Sequence, residues 1–305
     1  MRRLTQQDDR GVIAITVACL AALMFVLMAF SVDIGSAVAI TRSAQNSADA
    51  LALAKATDCA RNVGATNQAP YLTNGQTAST TGCGPGTVTA TVSRTKDWTF
   101  GKIIGLGDYT KTRSATAKWG TLGVATATFP IAIADCEWSQ TILDGTVDIT
   151  LYIDDPKPQS GCSSVPGGFG QLDRANDSDC TVIITSGEGA DGKPGGDLQK
   201  AISCITPLPK AVLVPIYDSA ACAASGCTGQ GPYAITGFAE FVITGYSFNG
   251  NKNAGTLDKD CPLRPGETKP TVPKYCIRGD FIRFVADGTP GTSTNFGVTD
   301  VYLFS

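Results

Sequence analysis

The chain has 305 residues, and its 24 basic and 27 acidic side chains give a formal net charge of -3. This balance excludes a strongly basic nucleic-acid-binding surface, and the charged fraction of 17% is below the roughly 25% of ordinary soluble domains. Histidine is absent, which excludes catalysis or zinc binding that depends on imidazole. The 11 cysteines therefore indicate disulfide bonds made outside the cytosol.

The first element is an uncharged segment, residues 11–32, that follows a polar tail, residues 1–10. A helix of this length extends about 33 Å, enough to cross the hydrocarbon core of a bilayer. Arg2, Arg3 and Arg10 precede the segment, and the next basic residue is Arg42. The positive-inside rule predicts a single-pass anchor with a cytoplasmic N-terminus and an extracytoplasmic C-terminal domain.

Two other interpretations of this segment stay open. A secretory signal could be cleaved after Ala37-Val38-Ala39, although the apolar run is longer than in most signal peptides. A buried core helix of a soluble protein would have a polar face, which the run lacks. Retention as an anchor is the favoured interpretation.

An alanine-rich stalk, residues 33–60, follows the span without any proline. Ala44, Ala48 and Leu51 recur at helical spacing, so we expect one helix continuous with the span. The small residues could seat a second membrane helix, or the stalk could rest on its own domain. Both alternatives stay open.

The residues around this membrane exit resemble the N-terminal segment of TadG-like proteins, in the TadE/TadG group of the bacterial Tad (Flp) pilus-assembly system. The resemblance covers about residues 8–60 and is carried by Arg10-Gly11, Val32-Asp33-Ile34-Gly35 and Gln45-Asn46-Ser47-Ala48-Asp49-Ala50. It implies a membrane-anchored accessory protein of pilus assembly. The implied partners are other membrane components of the machinery, or a second copy, contacted through the span and the stalk.

The chain departs from this family in two places. Thr16 occupies the position where pseudopilins of the system carry a glutamate, so prepilin-type processing is not expected. Larger relatives carry a von Willebrand A domain with a D-x-S-x-S metal site, and this sequence contains no D-x-S-x-S.

The rest of the chain predicts a linker, residues 61–85, and a β-rich extracytoplasmic domain, residues 86–305, which makes the fold class α+β. One domain is favoured over two, with a boundary near residues 121–125 as the alternative. Residues 233–248 are apolar on both alternating faces and should form a central strand, and a helix is expected around residues 196–203. Candidate strands are residues 87–93, 112–118, 126–134, 147–153, 181–185, 211–217, 233–248, 280–285 and 298–304.

Ten cysteines lie on the predicted outer side, whereas Cys19 lies inside the span. An even number without any C-x-x-C pair favours disulfides over zinc. Spacing does not define the connectivity, although pairing between neighbours would suit Cys222–Cys227 and Cys261–Cys276. The disulfide candidates are Cys59, Cys83, Cys136, Cys162, Cys180, Cys204, Cys222, Cys227, Cys261 and Cys276.

Several short motifs have both a functional and a structural interpretation. Asp173, Asn176, Asp177 and Asp179 resemble a run of calcium ligands but lack the glycine and the distal glutamate of an EF-hand, so a turn is favoured. The remaining candidates are the carboxylate pair Asp154-Asp155, the Ser93-x-x-Lys96 spacing, the Arg278-Gly279-Asp280 tripeptide, and Trp98, Trp119 and Trp138 as glycan-binding aromatics.

None of these motifs identifies a catalytic, cofactor-binding or metal-binding residue. The sequence predicts a non-enzymatic, single-pass membrane protein of Tad pilus assembly that acts as an assembly, scaffold or adhesion component. The alternative is an anchored or secreted glycan-binding module or cell-wall hydrolase.

Overall fold

In the computed structural model, the chain forms two compact units. The first comprises residues 1–56, 65–118 and 303–305, and the second comprises residues 57–64 and 119–302. The structure describes residues 10–62, 66–84, 86–138, 148–153, 169–174, 179–193, 201–225, 231–248, 252–257, 261–263 and 275–304.

A single helix, α1 (Arg10–Ala60), forms the N-terminal part of the first unit. Its 51 residues correspond to about 77 Å, so the span and the stalk are one continuous helix, as predicted. Within the described residues, it is the one helix long and apolar enough to cross a membrane. The apolar side chains from Ile13 to Val32 are exposed, as a lipid-facing segment requires.

The stalk part of α1 buries one side. Ile40, Ala44, Ala48 and Leu51 are at most 4% exposed and recur every three to four residues. This burial exists in the single chain, so it corresponds to the alternative in which the stalk rests on its own domain.

The first part of a seven-stranded sheet follows α1 in the chain. It contains β1 (Gln76–Thr80), β2 (Thr87–Lys96) and the first part of β3 (Tyr109–Ala127). Alternate residues of β2, such as Val88 and Ala90, are buried. On the other face, hydroxyl pairs link β2 to β3 at 2.7–3.0 Å: Thr89–Thr116, Thr91–Ser114, Ser93–Thr112 and Thr95–Thr110.

The segment expected to be a linker, residues 61–85, contains regular structure. A 3₁₀ turn (Ala69–Tyr71) and β1 lie in it, and β1 pairs with β2 along five residues. The alternation in β1 consists of Thr, Ala and Ser, so its sequence lacks the apolar period by which a strand is recognised. Strand β1 is ordered because it pairs along the edge of β2.

The second unit is β-rich, which confirms the predicted fold class. Its strands are β4 (Ile131–Ala134), β5 (Ile149–Ile153), β6 (Phe169–Leu172), β7 (Val182–Thr185), β8 (Gly189–Ala190), β9 (Gly192–Lys193), β10 (Lys210–Tyr217), β11 (Tyr233–Phe248), β12 (Lys252–Gly255), β13 (Tyr275–Ile282), β14 (Phe284–Val285), β15 (Thr289–Pro290), β16 (Thr294–Asn295) and β17 (Val298–Phe304). Two short helices, α2 (Ile202–Ile205) and α3 (Ser219–Ser225), accompany them.

Strand β11 is the centre of the larger sheet, whose order is β5-β13-β11-β10-β4-β6-β9. It pairs antiparallel with β10 and with β13. Phe241 belongs to one buried apolar cluster and Phe238 to another, so both faces of β11 are covered, as its sequence predicted. The part of β3 within this unit pairs with β7 and β15.

The division into two units differs from the single domain expected over residues 86–305. Strand β3 is 19 residues long, and its first part pairs with β2 while its last residues pair with β7. The boundary falls between Lys118 and Trp119, close to the alternative boundary at residues 121–125. The composition of β3 is uniform along its length, so its sequence does not show where the pairing partner changes.

Disulfide bonds close two loops of the second unit. Cys180 bonds to Cys204 and Cys261 to Cys276, at sequence separations of 24 and 15, and each pair joins cysteines consecutive in the sequence. Cys59, Cys83, Cys136 and Cys222 are also disulfide-bonded. Cys162 and Cys227 lie outside the described residues, and within those residues Cys19 is the free cysteine.

Removing the Cys261–Cys276 bond should destabilise the second unit. The double variant Cys261→Ala/Cys276→Ala should lose about 2–4 kcal/mol of unfolding free energy, because the unfolded chain regains the freedom of the opened loop. Urea unfolding of the detergent-solubilised chain, followed by tryptophan fluorescence, measures the loss. The control Cys19→Ala removes an unbonded cysteine and should leave the midpoint unchanged; equal midpoints for all three chains would contradict the assignment.

Candidate membrane-proximal site

The catalytic and metal-binding alternatives are not assembled among the described residues. Ser93 and Lys96 lie on β2, where the hydroxyl of Ser93 pairs with Thr112 at 2.8 Å and the ammonium of Lys96 donates to Ser36 Oγ at 2.9 Å. A separation of three residues directs their side chains to opposite faces of a strand. Asp154 and Asp155 lie outside the described residues.

The calcium-like run is also occupied by other interactions where it is described. Asp173 forms an ion pair with Lys193 at 3.0 Å, and the carbonyl of Asp179 accepts a hydrogen bond from Arg174 at 3.0 Å. Asn176 and Asp177 lie outside the described residues. Over the described part of the chain, no group of three or more Cys, Asp or Glu side chains could hold a metal ion.

The tripeptide Arg278-Gly279-Asp280 lies inside strand β13 and not on a loop. Arg278 pairs with Asp148 at 2.6 Å. A Cβ on Gly279 would overlap the carbonyl oxygen of Val242, so the glycine permits close approach of β11.

Two of the three tryptophans are engaged in aromatic packing. Trp98 packs on Tyr109, with ring centroids 4.3 Å apart, and Trp138 meets Phe296 edge-on at 5.1 Å. These contacts are those of structural aromatics.

A set of specific hydrogen bonds lies in the first unit, where the turn between β2 and β3 meets α1. This turn, residues 99–106, is called the hairpin tip. It contains a 3₁₀ turn (Gly101–Ile104) that ends at Gly105, whose φ of 84° lies in the left-handed region. A Cβ on Gly101 would lie 2.8 Å from the Cβ of Trp98, so this position requires glycine.

The carboxylate of Asp33 on α1 accepts the backbone N–H groups that begin the hairpin tip. Thr99 N–H donates to Oδ1 at 2.9 Å, Gly101 N–H donates to Oδ2 at 2.8 Å, and Phe100 N–H lies 3.1 Å from Oδ2. Asp33 therefore caps a turn that is 66–68 residues away in sequence, as an N-cap residue caps its own helix. We call this set of contacts the Asp33 clamp.

Two opposing effects act on the pKa of Asp33. The side chain is only 6% exposed, and its burial raises the pKa, but the three backbone donors outweigh burial and lower the pKa below the ordinary value of 3.8. A lowered pKa means that the clamp is complete at neutral pH and is lost only as the pH falls through this low value.

Three further polar contacts fasten the same side of α1. Ser36 accepts from Lys96, and Ser47 Oγ donates to Gln76 Oε1 at 2.9 Å. Gln76 Nε2 donates to Ser43 Oγ at 3.3 Å. With Asp33, these side chains lie at intervals of 3, 7 and 4 residues, which places them on one face of the helix.

The hairpin tip exposes large apolar side chains beside the membrane-exit end of α1. Ile103 and Ile104 are 80% and 69% exposed. A cavity of about 660 Å³ lies between the tip and the helix, lined among others by Phe25, Phe30, Ile34, Trp98, Ile103 and Leu106. The tip also contains a charged residue, Lys102, which forms an exposed ion pair with Asp97 at 3.0 Å.

Two features of the structure were not singled out from the sequence. The run Gly101-Lys102-Ile103-Ile104-Gly105-Leu106, with three large apolar residues between charged strands, was the available signal for the hairpin tip. Glu240 was the other, as the single charged residue of β11. It is 6% exposed, and burial raises its pKa to about 7, against the opposing charge of Arg61.

Comparison with known proteins matches the chain to no family model, no curated protein and no solved structure. The backbone donors at the start of the hairpin tip bind the carboxylate of Asp33 in the same chain. The Asp33 clamp therefore positions the tip against α1.

Replacing Asp33 by asparagine should release the hairpin tip from α1. One amide oxygen cannot replace two charged carboxylate oxygens, so amide hydrogen exchange at Thr99, Phe100 and Gly101 should accelerate by about tenfold or more. Asp97→Asn removes the same charge two residues before these amides and should leave their exchange unchanged. Unaltered protection in Asp33→Asn would show that the clamp does not hold the tip.

Glu240→Gln should stabilise the chain in a pH-dependent way. Because the pKa of Glu240 is raised when folded, the native state binds more protons than the unfolded state between about pH 4.5 and 7, and stability falls as the pH rises through this window. The difference in unfolding free energy between the variant and the wild type should grow by on the order of 1–3 kcal/mol from about pH 5 to pH 8.

Urea unfolding at both pH values measures this difference. Glu188→Gln, at an exposed position, is the matched control. A gain for Glu240→Gln that is the same at both pH values would contradict the assigned titration.

Proposed function

We propose that this chain is a non-enzymatic, single-pass membrane protein of bacterial Tad (Flp) pilus assembly, with its C-terminal domain outside the cytoplasm. The proposal is supported by the use that the fold makes of the residues of the TadG-like resemblance. Asp33, from Val32-Asp33-Ile34-Gly35, holds the hairpin tip. Ser47, from Gln45-Asn46-Ser47-Ala48-Asp49-Ala50, donates a hydrogen bond to Gln76.

The anchor and the outer domain are consistent with this role. The large apolar side chains from Ile13 to Val32 are exposed, so lipids or partner helices would contact them. The disulfide bonds of the β-rich domain favour an oxidising compartment. The arginines before the span support a cytoplasmic N-terminus.

The proposed mechanism is mechanical and not catalytic. The span and the exposed side of the stalk would contact other membrane components of the machinery or a second copy. The Asp33 clamp would fix the hairpin tip at the end of the anchor, and the β-rich domain would act as an assembly, scaffold or adhesion component.

Deleting the coding gene in the parent bacterium should reduce the number of surface pili severalfold, because assembly would lose an accessory component. Pili are counted by electron microscopy, and complementation with the wild-type chain should restore them. An unchanged count would overturn the pilus assignment.

Protease digestion of intact cells and of inverted membrane vesicles, with and without reductant, is the accompanying control for location. The β-rich domain should be cut on the outer side only, and more readily after reduction. Affinity capture of a cell-wall glycan, with no pilus component, would favour the alternative glycan-binding role.

A further inference from the structure

The hairpin tip presents apolar surface in a chain that buries most of its other large apolar side chains beyond the span. Ile103, Ile104, Leu106 and Phe100 are 80%, 69%, 46% and 41% exposed. They lie within seven residues and form a continuous patch of the kind that marks a membrane or protein contact.

The position of this patch along α1 is fixed by the Asp33 clamp. Asp33 is the first residue after the predicted span, and it holds Thr99 and Gly101 at that level. The cavity that the tip shares with α1 extends to Phe25, eight residues or about 12 Å along the helix axis. The apolar side chains of the tip therefore lie beside the last turns of the span.

Six backbone N–H groups of the tip have acceptors within the protein, as burial away from water requires. Hydrocarbon offers no hydrogen-bond partner, so N–H groups must be satisfied within the protein. Carbonyl or carboxylate acceptors within the first unit serve the N–H groups of Thr99, Phe100, Gly101, Ile103, Gly105 and Leu106.

We propose that the hairpin tip is a second membrane contact, in which Phe100, Ile103 and Ile104 enter the leaflet that faces the β-rich domain and lipid acyl chains fill the cavity beside α1. This proposal rests on the membrane-spanning placement of α1 in the proposed function. Lys102, paired with Asp97, keeps its ammonium at the head-group level while its aliphatic stem follows the tip.

Site-directed spin labelling of the full chain tests the contact. Single cysteines replace Ile103, Ile104, Leu23 and Ser114 in a Cys19→Ser parent, and the parent itself sets the labelling background. The chain is reconstituted in vesicles of phosphatidylethanolamine and phosphatidylglycerol. Collision of each label with oxygen, which concentrates in lipid, is compared with collision with a water-soluble nickel complex.

The labels at Ile103 and Ile104 should show an oxygen-to-nickel ratio severalfold above that at Ser114, on the exposed face of the same hairpin, and close to that at Leu23 in the span. A label at Leu106 should keep its lipid signature in Ile103→Val/Ile104→Val and lose it in Ile103→Asp/Ile104→Asp, since charge opposes insertion.

Each contrary result has a separate meaning. A tip ratio equal to that at Ser114, with Leu23 still in lipid, overturns the second contact and leaves the proposed function standing. Tip labels shielded from both reagents and broadened by spin–spin coupling would mean that a second copy covers the tip, which also overturns it. An aqueous signature at Leu23 would overturn the membrane span itself.

Discussion

The first unit depends on one carboxylate that meets three backbone N–H groups at the end of an apolar helix. Asp33 lies directly after a 22-residue uncharged segment, where an unpaired buried charge would be costly. Thr99, Phe100 and Gly101 supply the donors that compensate this cost. The same contacts satisfy amides that a 3₁₀ turn leaves without partners, so each side of the contact requires the other.

This mutual requirement couples two positions that are distant in sequence. Asp33 lies where the apolar segment of α1 ends, and the Asp33 clamp fixes the hairpin tip at the same position along the helix. Strands β2 and β3 extend from that tip through ten consecutive paired residues, reinforced by hydroxyl pairs on their exposed face. The hairpin is thus a regular extension of the anchor, with its apolar end towards the membrane-exit end of α1.

Sequence patterns predicted the elements that are rich in apolar residues. The α1 helix, β11 and β17 are of this kind, and β11 is central because both of its faces are apolar. Strand β1 was not predicted, because its Thr and Ser residues give no apolar alternation and its order comes from pairing with β2. The Asp33 clamp could not be predicted either, since its donors are backbone amides that any residue supplies. The hydrogen bonds of such a contact leave no side-chain signature at residues 99–101, and only the glycine at 101 hints at a close approach.

Two buried acids in this chain show why burial alone does not define a functional group. Glu240 lies in the core strand β11, and burial dominates and raises its pKa. Asp33 is equally buried, yet backbone donors reverse the effect and lower its pKa. The difference lies in what faces the carboxylate. A group held in its charged form by three amides keeps one geometry at physiological pH, which suits a fixed contact between α1 and the hairpin tip. A proton-transfer site would need the opposite, a carboxyl whose charge changes near neutral pH beside a second reacting group.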